Sequence, residues 1–324
     1  MKNKKQNILI IGAGLIGSRR AHIARKFSPK SNIYIYDTNY KRSSNLALEI
    51  NGTAVNNLDA ILKDKSIKYV VVAVINKYAK DICIKALKNG KNVLCEKPLG
   101  RNYKEAKEIA SAAIRYKRVL KCGFNHRYHP AILEAHKLCK KGTIGKILFI
   151  RAIYGHGGRK GYDKEWRASK DLCGGGELLD QGCHLIDLSL WFLNFEEIKK
   201  TNSIKKTMFW NMEVEDNAFC LFETKSGKIV QLHASWTQWK NKFVFEIYGD
   251  KGSIEINGLG KSYGDETLKI SIRKNLGKAP IVKEKVFKGD DLSWELEWKD
   301  FIKSKKPMSN HKESLEVMRV VSRL

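Results

Sequence analysis

Proline is scarce in this 324-residue chain, with five in all, and no Pro-rich or low-complexity tract divides one part from another. Domains tethered on a loose linker are thereby excluded, and so is a repeat array, since no internal repeat occurs. Long apolar runs are missing too. No stretch of 18 apolar residues appears, and MKNKKQ leads into a short apolar strand without a signal-peptide core or small-residue cleavage site. A cytoplasmic chain with no membrane partner is the expectation. The seven cysteines are odd in number, scattered and free of any C-x-x-C pair, which excludes a disulfide framework and a zinc knuckle. Acidic residues are few, 34 against 61 Lys and Arg, for a net charge of +27. A basic stripe would suit phosphate neutralisation on nucleic acid. Here the lysines are spread along the whole chain, so no nucleic-acid partner is expected, and what remains is a positive field that attracts anionic small molecules.

The length exceeds one ordinary hydrophobic core and predicts two domains. From Asn7 to Gly123 short apolar runs (NILII, NIYIYD, YVVVAV, KNVLCE, RVLKCG) alternate with amphipathic stretches, the rhythm of βαβ units and a parallel sheet. YVVVAV lacks polar alternation, as a strand buried on both faces should. After Phe124 the rhythm changes to NAFCLFET, IVQLHASW, KFVFEIYG and GSIEIN, which read as a large, mostly antiparallel sheet covered on one face by helices. The expected division is 1–123 and 124–324, an α/β fold with a doubly wound parallel sheet followed by an α+β domain, the two packed around a cleft. SLEVMRVVSRL has helical periodicity and no stop signal, so its helix is expected to run on past Leu324.

Gly12, Gly14 and Gly17 form G-x-G-x-x-G directly after a strand and at the opening of a helix. The first glycine permits the tight turn, the second lets backbone approach a pyrophosphate, and the third lets helix and strand pack closely. Asp37 ends the next strand, 20 residues beyond Gly17, where a carboxylate accepts bonds from ribose hydroxyls and repels a 2′-phosphate. That favours NAD over NADP. Lys41 and Arg42 could accommodate a phosphate, so NADP stays open, and Asp37 could instead cap a turn with Thr38 and Asn39.

Glu96, Lys97 and Pro98 follow the fifth strand, at the carboxyl edge where open α/β sheets bind ligands. A lysine there can orient a substrate oxygen or stabilise charge developing on it. In GGGELLDQGCHLIDLSLWFL, Asp180, His184 and Asp187 fall at helical spacing, which gathers them near one face behind three glycines. Zinc asks for further ligands that do not occur at recognisable spacing, so no metal is expected. Arg127 and Arg167 suit phosphate or carboxylate groups, and with Trp166 they are the next candidates for substrate contact.

Taken together, the Gly12-Gly14-Gly17 loop, the Glu96-Lys97-Pro98 tripeptide, GFNHRYHP from Gly123 to Pro130, and the W-R…GGG-x-x-x-D-x-G-x-H-x-x-D run from Trp166 to Asp187 resemble the Gfo/Idh/MocA oxidoreductases over nearly the whole chain. That family comprises glucose-fructose oxidoreductase, inositol dehydrogenase and their relatives. The resemblance implies an N-terminal Rossmann domain binding NAD and a C-terminal substrate domain whose open sheet serves homodimer or homotetramer contacts. It implies Lys97, Asp180 and His184 as the catalytic group. His184 would be the acid/base as hydride moves between nicotinamide and a hydroxyl-bearing carbon of a sugar, cyclitol or sugar nucleotide, since imidazole titrates near neutral pH. Cofactor contacts are expected from Gly12, Gly14, Leu15, Ile16, Gly17, Asp37, Arg42, Glu96 and Lys97. Substrate contacts are expected from Lys97, Arg127, Trp166, Arg167, Asp180 and His184. The chain departs from the family pattern where a proline and a histidine are often found, having Ile75 and Ala79, and there Val74 and Asn76 are the expected cofactor neighbours. The alternatives are an NAD-retaining glycosidase of the same family and a non-catalytic dinucleotide sensor.

Overall fold

A computed structural model describes residues 6–324. The basic start Met1–Lys5, which entered the argument against a leader segment, lies outside the described residues. The chain forms two compact units, one of residues up to Phe124 together with Trp294–Met318, the other of Asn125–Ser293 with Arg319–Leu324.

In unit 1, β1 (Asn7–Ile11), β2 (Ile33–Tyr36), β3 (Thr53–Val55), β4 (Ile67–Val72), β5 (Asn92–Cys95) and β6 (Leu120–Cys122) make one sheet in the order β3-β2-β1-β4-β5-β6. Every pairing is parallel. Helices α1 (Leu15–Phe27), α2 (Tyr40–Glu49), α3 (Leu58–Lys63), α4 (Asn76–Lys88) and α5 (Tyr103–Arg115) fill the connections. Five of the six residues of β4 are buried, because the sheet is covered on both faces, and burying each valine contributes about 1.5–3 kcal/mol. Strand order reverses between β1 and β4. The crevice outside the carboxyl ends of those strands is where such sheets take ligands.

In unit 2, β7 (Ile147–Gly155), β8 (Ile198–Lys206), β9 (Asn217–Thr224), β10 (Ile229–Ser235), β11 (Lys242–Gly249), β12 (Gly252–Asn257), β13 (Glu266–Ile272) and β14 (Ile281–Phe287) make a sheet ordered β14-β13-β12-β11-β7-β10-β9-β8. Only the β7–β10 pair is parallel among the described strands. Side chains alternate as a one-sided sheet requires: Val230, Leu232 and Ala234 of β10 are buried, whereas Ile229 is exposed. Helices α6 (Pro130–Lys140), α7 (Lys170–Cys173) and α8 (Cys183–Phe192) accompany it. All but one of the residues of α8 are buried, and it packs on β7 and β10. Ile204, Phe219 and Leu221 stay exposed on β8 and β9.

Two expectations need correcting. The second domain does not run unbroken from 124 to 324, because α9 (Ser293–Lys303) and most of α10 (His311–Val321) belong to unit 1. Trp298 and Phe301, three apart on one face of α9, join the core of Ile8, Ile10, Ile35, Val71 and Leu94, and the Tyr69 hydroxyl donates to the Ile302 carbonyl at 2.9 Å. Nor does the last helix continue past Leu324: α10 ends at Val321, and the Arg323 carbonyl accepts from Thr201 Oγ1 at 2.9 Å.

Candidate active site

Unit 1 builds a candidate dinucleotide loop from backbone. Gly12 has φ +98°, and a Cβ there would lie 2.1 Å from the Ala73 carbonyl oxygen. A Cβ on Gly17 would lie 1.8 Å from the Gly12 carbonyl oxygen, so helix α1 and β1 touch through bare backbone. Gly14 differs, since its Cβ would meet nothing within 4 Å. Gly14 caps α1 without any side-chain hydrogen bond, and the first turn holds no acidic residue. A helix N-terminus left in that condition offers amides and a positive dipole end to an anion, and the residues present fit the pyrophosphate of a dinucleotide.

Asp37 stands at the end of β2. Its Oδ2 accepts from the Ala13 amide at 2.7 Å and its Oδ1 from the Asn39 amide at 2.8 Å, so one carboxylate ties the glycine loop to the turn that opens α2. Leu15 is exposed and Ile16 half-buried at the start of α1. Val74 is half-buried after β4, and Asn76 starts α4 with its side chain largely buried. Arg42 is exposed in the first turn of α2, where Asn39 Oδ1 accepts from its amide. Ile75 is the N-cap of α4, and Ala79 is buried within it.

Glu96 Oε1 accepts from Arg20 Nε of α1 at 2.6 Å, so this carboxylate ties the end of β5 to the helix that follows the glycine loop. Lys97, the next residue, is half-buried beyond the end of β5.

Unit 2 holds a cluster of side chains on a distorted helix. The glycine run ends at Gly176, where the Glu215 carboxylate accepts from the amides of Gly176 at 3.2 Å and Leu178 at 3.3 Å. A π-helical turn then spans Leu178–Gly182 and passes directly into α8. π-turns inside α-helices cost regular hydrogen bonding and are frequent at functional sites. Asp180 lies on this turn and His184 in the first turn of α8. Asp180 Oδ2 is 3.5 Å from Arg167 Nε, and the Arg167 guanidinium lies 4.5 Å from the centre of the Trp166 ring. The His184 ring, 4% exposed for the residue, stacks on His126 with centroids 3.7 Å apart and planes 14° from parallel. Asn125 Oδ1 is 3.2 Å from His126 Nδ1, and Asn125 Nδ2 donates to Ser293 Oγ at 2.9 Å. Tyr154 packs edge-on against His126, and burial, seconded by Tyr263, pushes its phenol well above the usual range. The Gln181 amide donates to the Tyr263 hydroxyl at 3.1 Å.

Asp180, His184, Arg167 and Trp166 are therefore gathered within unit 2, whereas Arg127 and Asp187 are not part of that group. Arg127 is fully buried, and its Nε and Nη2 donate to the two carboxylate oxygens of Asp187 at 2.8 and 2.6 Å. A fully buried guanidinium whose fork is filled by a buried carboxylate is committed to the interior of unit 2, which corrects the reading of Arg127 as a substrate contact. His126, Tyr154, Gln181 and Tyr263 were missed. His126 stood in the GFNHRYHP stretch, beside the arginine that drew attention as an anion binder. Nothing local marked Tyr154 or Tyr263.

A sequence model described as an oxidoreductase family with an NAD-binding Rossmann fold matches residues 6–124, and a GFO/IDH/MocA C-terminal domain model matches residues 132–255. Trans-1,2-dihydrobenzene-1,2-diol dehydrogenase of Xenopus laevis is 28% identical over 260 residues, which cover 71% of this chain and 77% of that one. The 2,7-anhydro-N-acetylneuraminate hydratase of Escherichia coli (strain K12) is 28% identical over 264 residues, 78% of this chain and 67% of that one. Levoglucosan dehydrogenase, solved in complex with NADH and L-sorbose, has the same fold with a TM-score of 0.88 at 21% identity, covering 98% of this chain and 95% of that one.

Proposed function

The chain belongs to the Gfo/Idh/MocA family of NAD-binding oxidoreductases, and on that premise we propose that it oxidises or reduces a hydroxyl-bearing carbon of a sugar, cyclitol or sugar nucleotide, with His184 as acid/base. NAD held at the Gly12–Gly17 loop supplies the hydride acceptor or donor. The chain's own residues do the rest. His184 takes the hydroxyl proton, its ring plane fixed by the face of His126. Asp180, paired with Arg167, orients the substrate hydroxyls or the imidazole. Lys97 stabilises the oxygen as negative charge develops on it. The stacked His184 is the observation that most supports this reading, because a buried imidazole aligned by a second ring is preorganised for proton transfer.

A panel of sugars, cyclitols and nucleotide sugars, followed by absorbance of the reduced cofactor with NAD and with NADP, tests the substrate class. On the substrate found, His184→Ala is expected to lose about 10²–10⁴ in kcat while the Kd for NADH is unchanged. Retained turnover would remove His184 from the role.

The similarity to a hydratase favours a second reading. Addition of water is redox-neutral, so an enzyme of this fold could keep its nicotinamide and leave no net reduced cofactor. Product formed with no lasting absorbance change would identify that case. The exposed Ile204, Phe219 and Leu221 support homo-oligomer contact through the open sheet, and light scattering at two concentrations checks it.

A further inference from the structure

Next to Lys97, unit 1 buries an ion network that no step of the proposed reaction uses. Arg20 of α1 is its centre, with Nε 2.6 Å from Glu96 Oε1 and Nη2 2.7 Å from Glu297 Oε2. Glu297 comes from α9, and its Oε1 lies 3.7 Å from Lys121 Nζ, which is also 3.6 Å from Asp300 Oδ2 and donates to the Met308 carbonyl at 2.6 Å. The side chains of Arg20, Lys121 and Glu297 are 0% exposed. The Trp294 ring closes over Arg20, its centre 4.4 Å from Cζ. The packing is tight enough to dictate a glycine. A Cβ on Gly123 would sit 2.7 Å from Glu96 Oε2 and 3.2 Å from Arg20 Nη2.

Buried ion pairs are weak contributors to stability, since apolar residues of equal volume often do as well, and their better-attested use is to specify one arrangement. The arrangement specified here runs from the dinucleotide helix α1, through Arg20, to the residue before Lys97. Three carboxylates (Glu96, Glu297, Asp300) face two cations (Arg20, Lys121), so these five residues sum to one formal negative charge, and the charge of Lys97 acts on the Glu96 carboxyl among them. Burial raises the Glu96 carboxyl, Arg20 opposes it, and Glu297 adds to it, which places Glu297 in electrical contact with the Glu96–Lys97 step.

We propose that Glu297 is a positioning residue for Lys97: through Arg20 it fixes the Glu96 carboxylate, and thereby sets both the place and the charge of the neighbouring ammonium. The proposal rests on the reading of Lys97 as a catalytic group, and its test separates the two. In the full-length protein without cofactor, Lys97 is labelled competitively with acetic anhydride across a pH series, with exposed Lys30 as internal reference. Removing a negative charge weakens the preference for the ammonium. Glu297→Gln is therefore expected to raise labelling of Lys97 by about threefold, the change in neutral fraction for roughly half a pKa unit, with Lys30 unchanged. Glu297→Asp keeps the charge and shortens the reach to Arg20, so it is expected to leave Lys97 labelling near the parent value while lowering kcat, which reads placement apart from charge and serves if the Gln variant does not fold.

In steady state Glu297→Gln is expected to lower kcat about tenfold to a hundredfold, with NADH affinity kept, and to add nothing in a Lys97→Ala background. Unchanged Lys97 labelling in Glu297→Gln, unchanged kcat in Glu297→Asp, or losses that multiply in the double variant, would overturn the proposal. If Lys97→Ala leaves turnover intact, the catalytic role of Lys97 falls, and the labelling still decides whether Glu297 governs its surroundings.

Discussion

The glycine loop of unit 1 presents its groups through backbone, and the Asp180–His184 segment of unit 2 through side chains. At the Gly12–Gly17 loop the important groups are amides and the absence of Cβ atoms. At Asp180 and His184 the important groups are a carboxylate and an imidazole, each held by a partner distant in sequence: Arg167 for the first, His126 for the second. A backbone site needs only a short run of residues to be specified. A side-chain site needs the tertiary fold before its geometry exists.

The largest effect that would sharpen this contrast comes from two neighbouring glycines. Gly17→Ala drives a Cβ to 1.8 Å from the Gly12 carbonyl oxygen, a collision with backbone that cannot swing aside. It is expected to destabilise unit 1 by more than about 4 kcal/mol. Gly14→Ala meets nothing within 4 Å, so the fold is expected to keep its stability, yet the methyl occupies the space through which a pyrophosphate approaches. Chemical denaturation and NADH titration on both variants check the pair. Equal stability losses would show that the glycines serve packing alone.

The counterpart in unit 2 is Arg127. Arg127→Ala leaves Asp187 buried without its bidentate partner and is expected to cost about 3–5 kcal/mol, measured by urea denaturation. Arg127→Met with Asp187→Leu is expected to recover most of that, because matched apolar replacements of a buried pair are often neutral. A double variant as unstable as the single would mean that the pair supplies more than mutual satisfaction.

The same contrast explains what was legible beforehand. The parallel sheet, the glycine loop and Asp37 were read from strand spacing and turn chemistry, which are local. The run from Gly174 to Asp187 announced Asp180 and His184, but helical spacing placed Asp187 with them when the buried Arg127 claims it. The strand end marks Glu96 as lying at the ligand-binding edge, but its bond to Arg20, 76 residues earlier, has no local signal. The return of α9 to unit 1 depends on Trp298 and Phe301 finding a core formed by residues nearly 200 or more positions away, and no window of sequence holds both.

A smaller effect distinguishes the units by pH. His136 of α6 stacks on Trp191 at 3.7 Å, and burial, followed by the charges of Lys140 and Arg127, lowers its pKa to about 4. In the unfolded chain the imidazole binds its proton near pH 6.5. Between those values only the unfolded state is protonated, so unit 2 loses stability as pH falls from about 6.5 to about 4 and no further below that. Solvent reaches this half-buried ring and screens part of the shift, so the loss is expected to be about 1–2 kcal/mol. His136→Phe should flatten that part of the pH profile in denaturation experiments. An unaltered profile would assign the acid sensitivity elsewhere.

The smallest effect concerns a side chain in unit 1 that is held as those in unit 2 are. Asp37 is tied at both oxygens, to the Ala13 and Asn39 amides, so it serves as a turn cap and is also presented rigidly at the end of β2. Asn can retain the bond to one amide while losing the charge. Asp37→Asn is thus expected to weaken NADH binding by about 1 kcal/mol, roughly fivefold, from a weaker acceptor for the ribose hydroxyls. Binding of NADPH should tighten, because the carboxylate that repels a 2′-phosphate is gone and the exposed Arg42 stands in the following helical turn. Fluorescence titration of the variant with both cofactors measures the ratio. A ratio that does not move would confine Asp37 to its turn and make the whole of the cofactor site in unit 1 a matter of backbone.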